Sequence, residues 1–147
     1  MFSQTAQYAL RAMAFLAGLN DEAANSERIS AQMQIPRPYL SKLLSDLARA
    51  KLVRARRGPN GGFVLSRKAS EITILDVLSA VDPIERITEC PLGNPRHKAL
   101  CPLHRRLDNA MAMVESSFAA TRLTELIDPS AHAPIAGAKR GSECAGG

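Results

Sequence analysis

The chain has 147 residues, a formal net charge of +5 and a pI of about 9.5. Hydrophobic residues make up 46% of it, which is enough for a buried core. No apolar run approaches the roughly 18 residues of a membrane span. These values predict one compact domain, or a small domain with an appendage, and no membrane partner.

The first predicted element is a helix over residues 4–19. Its apolar stripe consists of Tyr8, Met13, Phe15, Leu16 and Leu19. Because Arg11 interrupts the apolar N-terminus and no small-residue cleavage site follows, we interpret it as an amphipathic helix rather than a signal peptide. We therefore expect a cytoplasmic protein, in which cysteines are more often ligands or sensors than disulfides.

The next segment predicts a helix-turn-helix. Ser26 is expected to cap a short helix, which the prolines of "IPRP" then end. Pro38 suits the first turn of a second helix. Apolar residues recur in that helix at the helical spacing, at Leu40, Leu43, Leu44 and Leu47. The second helix of such a pair enters the DNA major groove, so we expect its polar side to contact DNA. That side holds Arg37, Tyr39, Ser41, Lys42 and Ser45.

A β-hairpin is predicted directly after this helix. Val53 and residues 63–65 suit two short strands, and Asn60-Gly61 is typical of a type I′ turn, whose central residues both have positive φ. Residues 51–68 carry six basic side chains and no acid. A hairpin in this position is a wing, and it favours DNA contact over a plain basic surface. The expected contacts are Arg54, Arg56, Arg57, Gly58, Asn60 and Gly61.

Two more helices are predicted. The first is capped near Ser70 or Thr73 and ended by Pro83. The second spans residues 102–127, and its apolar side consists of Leu103, Leu107, Met111, Val114 and Phe118. Spacings of three and four suit packing against another helix. We expect that helix to belong to a second subunit, the alternative being the core of the same chain.

The predicted fold is therefore mainly α with a small β-hairpin wing, and its organisation has four parts. A winged helix-turn-helix domain covers residues 1–83 and a cysteine- and histidine-containing loop covers 84–101. A dimerisation helix covers 102–127. Residues 128–147 are rich in proline, alanine and glycine and are expected to form a disordered tail, with a free thiol at Cys144.

Three segments resemble the family of bacterial transcription regulators that includes IscR, NsrR, RirA and CymR. They are "YALRAM", "PYLSKLLSDLARAKLVRARRGPNGGFVLSR" and the "C…CPLH" pattern, and the similarity runs from about Ser3 to about Leu126. The resemblance implies a homodimeric winged-helix regulator, not an enzyme, that binds partly palindromic double-stranded promoter DNA. We expect it to act as a repressor. Many members carry an iron–sulfur cluster that senses iron, cluster supply, oxidants or nitric oxide, and others lack one.

The resemblance places the cluster ligands in the loop before the last helix. Cluster-binding members commonly have three cysteines there, whereas this loop has two, Cys90 and Cys101. Arg96 and His97 stand where the middle cysteine is expected. Some members take a carboxylate from the first helix of the partner subunit, but residues 1–20 contain no Asp or Glu.

Imidazoles replace two thiolates in Rieske centres. Cys90, Cys101, His97 and His104 match that ligand count, and it is the family resemblance that leads us to expect a [2Fe–2S] cluster on them rather than an unligated loop. The same four residues would suit tetrahedral zinc. Cys90 and Cys101 could instead form a regulatory disulfide, or the loop could bind nothing. The function predicted is a cluster-controlled regulator, with a cluster-free thiol switch as the alternative. A Rieske-like electron-transfer protein and a pure protein-interaction module are the other classes considered.

Overall fold

The computed structural model describes residues 2–89 and 101–127. Its elements in chain order are α1 (Gln4–Gly18), α2 (Ser26–Met33), α3 (Arg37–Arg49), β1 (Val53–Arg56), β2 (Gly62–Leu65), α4 (Ile74–Val81) and α5 (Pro102–Ala120). Short 3-10 helices lie at Ala69–Glu71 and Leu123–Leu126. This arrangement confirms the predicted fold class, helices with one antiparallel hairpin. None of the helices in the described part of the chain is long and apolar enough to cross a bilayer.

One core joins α1, α2, α3 and α4. Its fully buried side chains include Met13 of α1, Ile29 of α2, Leu40 and Leu47 of α3, and Val77 of α4. Burying each such side chain stabilises the fold by about 1.5–3 kcal/mol. The core therefore fixes how α3 is rotated about its own axis.

Side chains next to the helices determine where they begin. Asn25 accepts a hydrogen bond from the Arg28 N–H at 2.8 Å, so Asn25 caps α2 and the prediction of Ser26 is wrong by one residue. Thr73 and Asp76 form a capping box at the start of α4, as the sequence indicated for Thr73. Both caps satisfy N–H groups that have no partner within the helix.

The turn of the hairpin differs from the predicted type I′ turn. Arg56 pairs with Gly62, so residues 57–61 connect the strands. Within this loop the Gly61 N–H donates to the Gly58 carbonyl at 2.9 Å, with Pro59 in the second position, which its fixed φ suits. Positive φ occurs at Gly58 and Gly62 and not at Asn60. The chain therefore changes direction over five residues, and the Asn60-Gly61 pair alone does not form the turn.

The wing is joined to the loop before α2. The Phe63 N–H donates to the Ala24 carbonyl at 2.8 Å, and the Ala24 N–H donates to the Phe63 carbonyl at 3.1 Å. Gly62 has φ +149°, and a Cβ there would lie 2.4 Å from the carbonyl carbon of Ala24. Only glycine fits this approach of two backbones, which holds the wing beside the helix-turn-helix.

The last helix is shorter than the predicted span of residues 102–127, because α5 ends at Ala120. The Thr121 carbonyl accepts from the Ile74 N–H at 3.0 Å, and the Leu123 N–H donates to the Ile72 carbonyl at 2.8 Å. The chain leaves the helix to make these bonds. Leu123 is then completely buried in the core.

We expect Gly62→Ala to destabilise the protein by about 1–3 kcal/mol, because it forces a side chain into strained backbone next to Ala24. Gly18→Ala is the matched control. Position 18 ends α1 with nothing within 4 Å of the added methyl group, so this change should be neutral or slightly stabilising. Urea unfolding monitored by circular dichroism measures the stability of both variants. Equal midpoints for the two variants would contradict the close approach.

Candidate nucleic-acid interface and thiol pair

The polar side of α3 lies in solvent, opposite its buried leucines. Arg37, Tyr39, Ser41, Lys42 and Ser45 are all exposed there. Tyr39 leaves 63% of its surface accessible although it is aromatic, and its ring lies 6.3 Å from that of Tyr8 on α1. This side of the helix carries hydrogen-bonding groups and one large ring, as a surface that reads base edges requires.

Three cations of α3 have acidic partners in the same chain. Lys42 Nζ lies 3.0 Å from Asp46, which also pairs with Arg49 at 3.3 Å. Arg37 pairs with Glu27 of α2. Such exposed pairs contribute at most about 1 kcal/mol each. A DNA phosphate can therefore replace the carboxylate at little cost.

The wing cations differ from one another. Arg54 and Arg57 are exposed and form no ion pair with any residue in the described ranges 2–89 and 101–127. Arg56, by contrast, donates from Nη1 to the Asp21 carbonyl at 3.1 Å, so it also braces the loop before α2. At the tip a Cβ on Gly61 would lie 2.4 Å from the Arg56 carbonyl oxygen. Arg54 and Arg57 are the two wing cations most available to phosphates.

A groove of about 500 Å³ runs between the start of α2, the polar side of α3 and the wing. Leu40, Leu44 and Phe63 form its apolar part, while Ser41 and Ser45 lie on its α3 side. Ser26 and Glu27 also line it. The local sequence marks the start of α2 only as a helix end, and no local pattern indicates that it lies across from α3.

A thiol–imidazole pair marks the start of α5. Cys101 is the N-cap residue but its side chain caps nothing, and its Sγ instead lies 2.9 Å from His104 Nδ1. Cys101 is half-buried. His104 is only 8% exposed, the one polar side chain that is buried within the described residues. Both residues are candidate ligands by sequence, and the structure brings these two together.

The pair does not have the geometry of two ligands on one metal ion. Bonds of about 2.3 Å to sulfur and 2.0 Å to nitrogen at a tetrahedral centre would place the two atoms about 3.5 Å apart. At 2.9 Å they form a hydrogen bond instead. Cys90 and His97 lie outside the described residues, and no three Cys, His, Asp or Glu side chains within those residues are grouped to hold a metal. The 2.9 Å contact therefore excludes shared ligation of one ion in this arrangement, and a cluster at Cys101 would need further ligands besides this pair.

A helix-turn-helix followed by a basic hairpin defines a winged-helix DNA-binding protein. This chain belongs to the Rrf2 family, described as "Iron-dependent Transcriptional regulator", whose family model matches residues 2–129. It is therefore a DNA-binding transcription regulator and not an enzyme, and the resemblance seen in its sequence is confirmed.

Relatives and solved structures agree with this assignment. An HTH-type transcriptional regulator of Aquifex aeolicus is 31% identical over 137 residues, covering 87% of this chain and 92% of that protein. The regulator NsrR of Geobacillus kaustophilus is 31% identical over 100 residues, covering 67% and 68%. CymR, the global cysteine regulator of B. subtilis, superposes with a TM-score of 0.73 at 25% identity, covering 86% and 95%. IscR of T. potens shares the fold, with a TM-score of 0.75 at 20% identity and 92% of each chain covered.

The exposed wing cations predict a salt-dependent affinity for DNA. Arg57→Gln should weaken binding and flatten the plot of log K against log salt concentration by about 0.9 if one phosphate contact is lost. The measurement is fluorescence anisotropy over a salt series, with a duplex selected for high affinity from a random library. Lys68→Gln removes the same charge from an exposed site after β2 and should change the slope little. Identical slopes in the two variants would show that the wing does not reach the backbone.

Proposed function

We propose that this regulator represses transcription as a homodimer bound to a partly palindromic promoter duplex. Helix α3 lies in the major groove, and the wing follows the phosphate backbone or reaches into the minor groove. The proposal rests on the position of Arg54 and Arg57 on an acid-free wing, next to an exposed recognition surface. Both arginines are exposed, and neither has an ion-pair partner among the described residues. The contacts proposed are Arg37, Tyr39, Ser41, Lys42 and Ser45 on α3, and Arg54, Arg56, Arg57, Gly58, Asn60 and Gly61 on the wing.

The dimer proposal rests on apolar side chains that α5 leaves in solvent. Leu103 and Met113 are each 71% exposed, Leu107 is 50% exposed and Val114 is 38% exposed. Three of them, Leu103, Leu107 and Val114, lie on one side of the helix, where α5 of a second subunit can pack. A twofold axis between two such helices matches the symmetry of a palindromic site.

The predicted apolar stripe of α5 packs partly within its own chain and is partly left exposed for the proposed interface. Phe118, expected in the interface, is half-buried in its own chain, where its ring lies 5.5 Å from that of Phe2 and packs near Ala6, Ile74 and Leu78. The proposed interface is therefore centred on Leu107, one to two turns nearer to the start of α5 than the whole stripe would place it.

Leu107→Glu should convert the dimer to monomers and abolish tight operator binding. An unpaired charge in an apolar interface costs more than about 2.7 kcal/mol, which raises the dimer Kd by more than about 100-fold. Light scattering coupled to gel filtration measures the mass, and circular dichroism checks the fold. Asn109→Glu introduces the same charge on the exposed polar side and should leave a dimer. A folded Leu107→Glu dimer would disprove the interface.

We further propose that a [2Fe–2S] cluster at the start of α5 controls DNA affinity. Cys101 and Cys90 supply the thiolates, with His104 and His97 as the candidate imidazole ligands. When bound, the cluster would supply one-electron redox chemistry and sensitivity to iron supply, oxidants or nitric oxide. Membership in a family described as iron-dependent and the half-buried Cys101 thiol support this proposal. His104 would have to exchange its hydrogen bond to Cys101 for a metal bond.

A cluster-free thiol switch is the second candidate, and the 2.9 Å contact between Cys101 and His104 favours it. Oxidation would join the Cys90 and Cys101 sulfurs, and two electrons and two protons would pass to an oxidant such as a peroxide. Similarity to CymR, a cysteine regulator by its description, agrees with this alternative. Membership in a family of transcription regulators argues against the electron-transfer and pure interaction-module alternatives.

Iron analysis and visible absorption of anaerobically purified protein separate the two candidates. With a cluster, Cys90→Ser and Cys101→Ser should each lose the colour, and His104→Ala should give a shifted or more labile spectrum. His97→Ala tests the remaining imidazole, and Cys144→Ser is the control that should change nothing.

Colourless, iron-free protein that takes up no iron and sulfide on anaerobic reconstitution would remove the cluster proposal. In that case, a peroxide-induced change in DNA affinity that requires both Cys90 and Cys101 would establish the thiol switch. Bound zinc in place of iron would instead indicate the tetrahedral site.

A further inference from the structure

Four reactive or acidic side chains at the start and along α5 share one face of the helix. Cys101, His104, Asp108 and Glu115 are spaced i, i+3, i+7 and i+14, which places them within about 60° around the axis. Asp108 lies on this face two turns after Cys101, about 10 Å along the helix. The Asp108 side chain is only 16% exposed, so something covers it.

The covering group is Arg86, from the segment of residues 83–89 that follows α4. Arg86 Nε and Nη2 donate to the two carboxylate oxygens of Asp108, each at 2.7 Å. The Ile87 N–H donates to Asp108 Oδ1 at 3.2 Å, and Arg86 Nη1 lies 3.5 Å from Glu115. A bidentate guanidinium–carboxylate pair is the strongest geometry for such contacts. We call Arg86, Ile87 and Asp108 together the α5 latch.

The latch is the hydrogen-bonded connection between this segment and α5. Among the hydrogen bonds that join described residues, every one made by residues 83–89 ends on Asp108. The hydrogen bond from Arg86 lowers the pKa of Asp108 below the usual range of a carboxyl group, which favours the charged form. At neutral pH the latch is therefore present with both charges.

A path of contacts leads from the latch to the DNA-facing helix. The segment begins at the end of α4, whose Val77 is buried in the core that also contains Leu40 and Leu47 of α3. At its other end the latch holds α5 at Asp108, one turn after His104 and two turns after Cys101. A shift of the first turns of α5 would therefore pull on α4 through Asp108 and Arg86.

We propose that the α5 latch couples the chemical state of Cys101 to DNA affinity. Arg86 and Asp108 act as positioning residues that transmit a displacement of the start of α5 to α4 and the core beneath α3. This inference rests on the proposed control of DNA binding from the start of α5. The new element is the connection from the start of α5 through Asp108 and Arg86 to α4. No local sequence pattern indicates this connection, because Arg86 and Asp108 are 22 residues apart.

The test uses a probe that needs neither iron nor a second cysteine. In a Cys90→Ser, Cys144→Ser background, Cys101 is the only thiol of the chain. Iodoacetamide alkylates it: the thiolate sulfur bonds to the methylene carbon, the carbon–iodine bond breaks and iodide leaves. The measured quantity is the ratio of DNA Kd values for the alkylated and unmodified dimer, with mass spectrometry confirming equal modification.

In the background protein we expect alkylation to change Kd by about tenfold or more. Asp108→Asn keeps the side-chain shape but replaces one carboxylate oxygen with a donor that opposes Arg86. The alkylated and unmodified forms of this variant should then bind within about twofold of each other. Glu85→Gln is the matched control, because it removes an exposed carboxylate of the same segment that lies outside the latch, and it should keep the full ratio. Arg86→Gln provides a second latch variant if Asp108→Asn does not fold.

Hydrogen exchange at Ile87 reports on the latch itself. Alkylation should speed exchange of the Ile87 amide in the background protein, whereas in Asp108→Asn this amide should exchange fast from the start. A purely structural ion pair would leave the Kd ratio of Asp108→Asn equal to that of Glu85→Gln, which would overturn the proposal. An absence of any affinity change on alkylating the background protein would overturn it too. Neither result depends on iron, so the cluster proposal stands or falls separately.

Discussion

The burial of one side of α3 is the constraint on which the DNA-facing surface depends. Leu40, Leu43, Leu44 and Leu47 are all buried in the core shared with α1 and α4. Because side chains on a helix are fixed in direction by its period, holding these four inward fixes Tyr39 and Lys42 outward. Rotating α3 by one residue would expose leucines worth about 1.5–3 kcal/mol each. The recognition surface is thus kept in place by the core and not by its own polar contacts, which remain available to DNA.

Local patterns predicted what depends on local spacing. The leucine period of α3 gave its buried side, and Thr73 gave the start of α4. The errors arose where a distant part of the chain decides the outcome. At the end of the wing loop, Phe63 pairs with Ala24 and Gly62 lies against the same backbone, some forty positions away along the chain. Helix α5 ends at Ala120 because the backbone at Ile72 and Ile74 takes the next residues out of the helix. Nothing in the sequence around Thr121 carries that information.

The candidate site shows the same division. The polar side of α3 and the wing arginines follow from helix period and position after the helix-turn-helix. Their partners do not, because Arg37 pairs with Glu27 on another helix and Arg56 with the Asp21 carbonyl. The thiol–imidazole pair was predictable, since Cys101 and His104 are three residues apart at a helix start. The hydrogen-bonded geometry of the pair was not predictable, because the burial of His104 depends on the packing around the helix start rather than on the local sequence.

Helix α5 is held to its own chain by very little apolar burial. In its nineteen residues only His104 is buried, whereas α1 buries six residues. Closely packed cores resist displacement, so a helix with a continuous buried stripe would move little in response to a chemical change at one end. The latch at Asp108 instead fixes the middle of α5 to the segment after α4, and Phe118 with the Thr121 pairing fixes its end. The end of α5 is anchored in the core, and the reactive Cys101 lies at its start. A change at Cys101 would therefore move the start of α5 about a fixed end, and the latch lies between the two, where such a displacement would still reach α4.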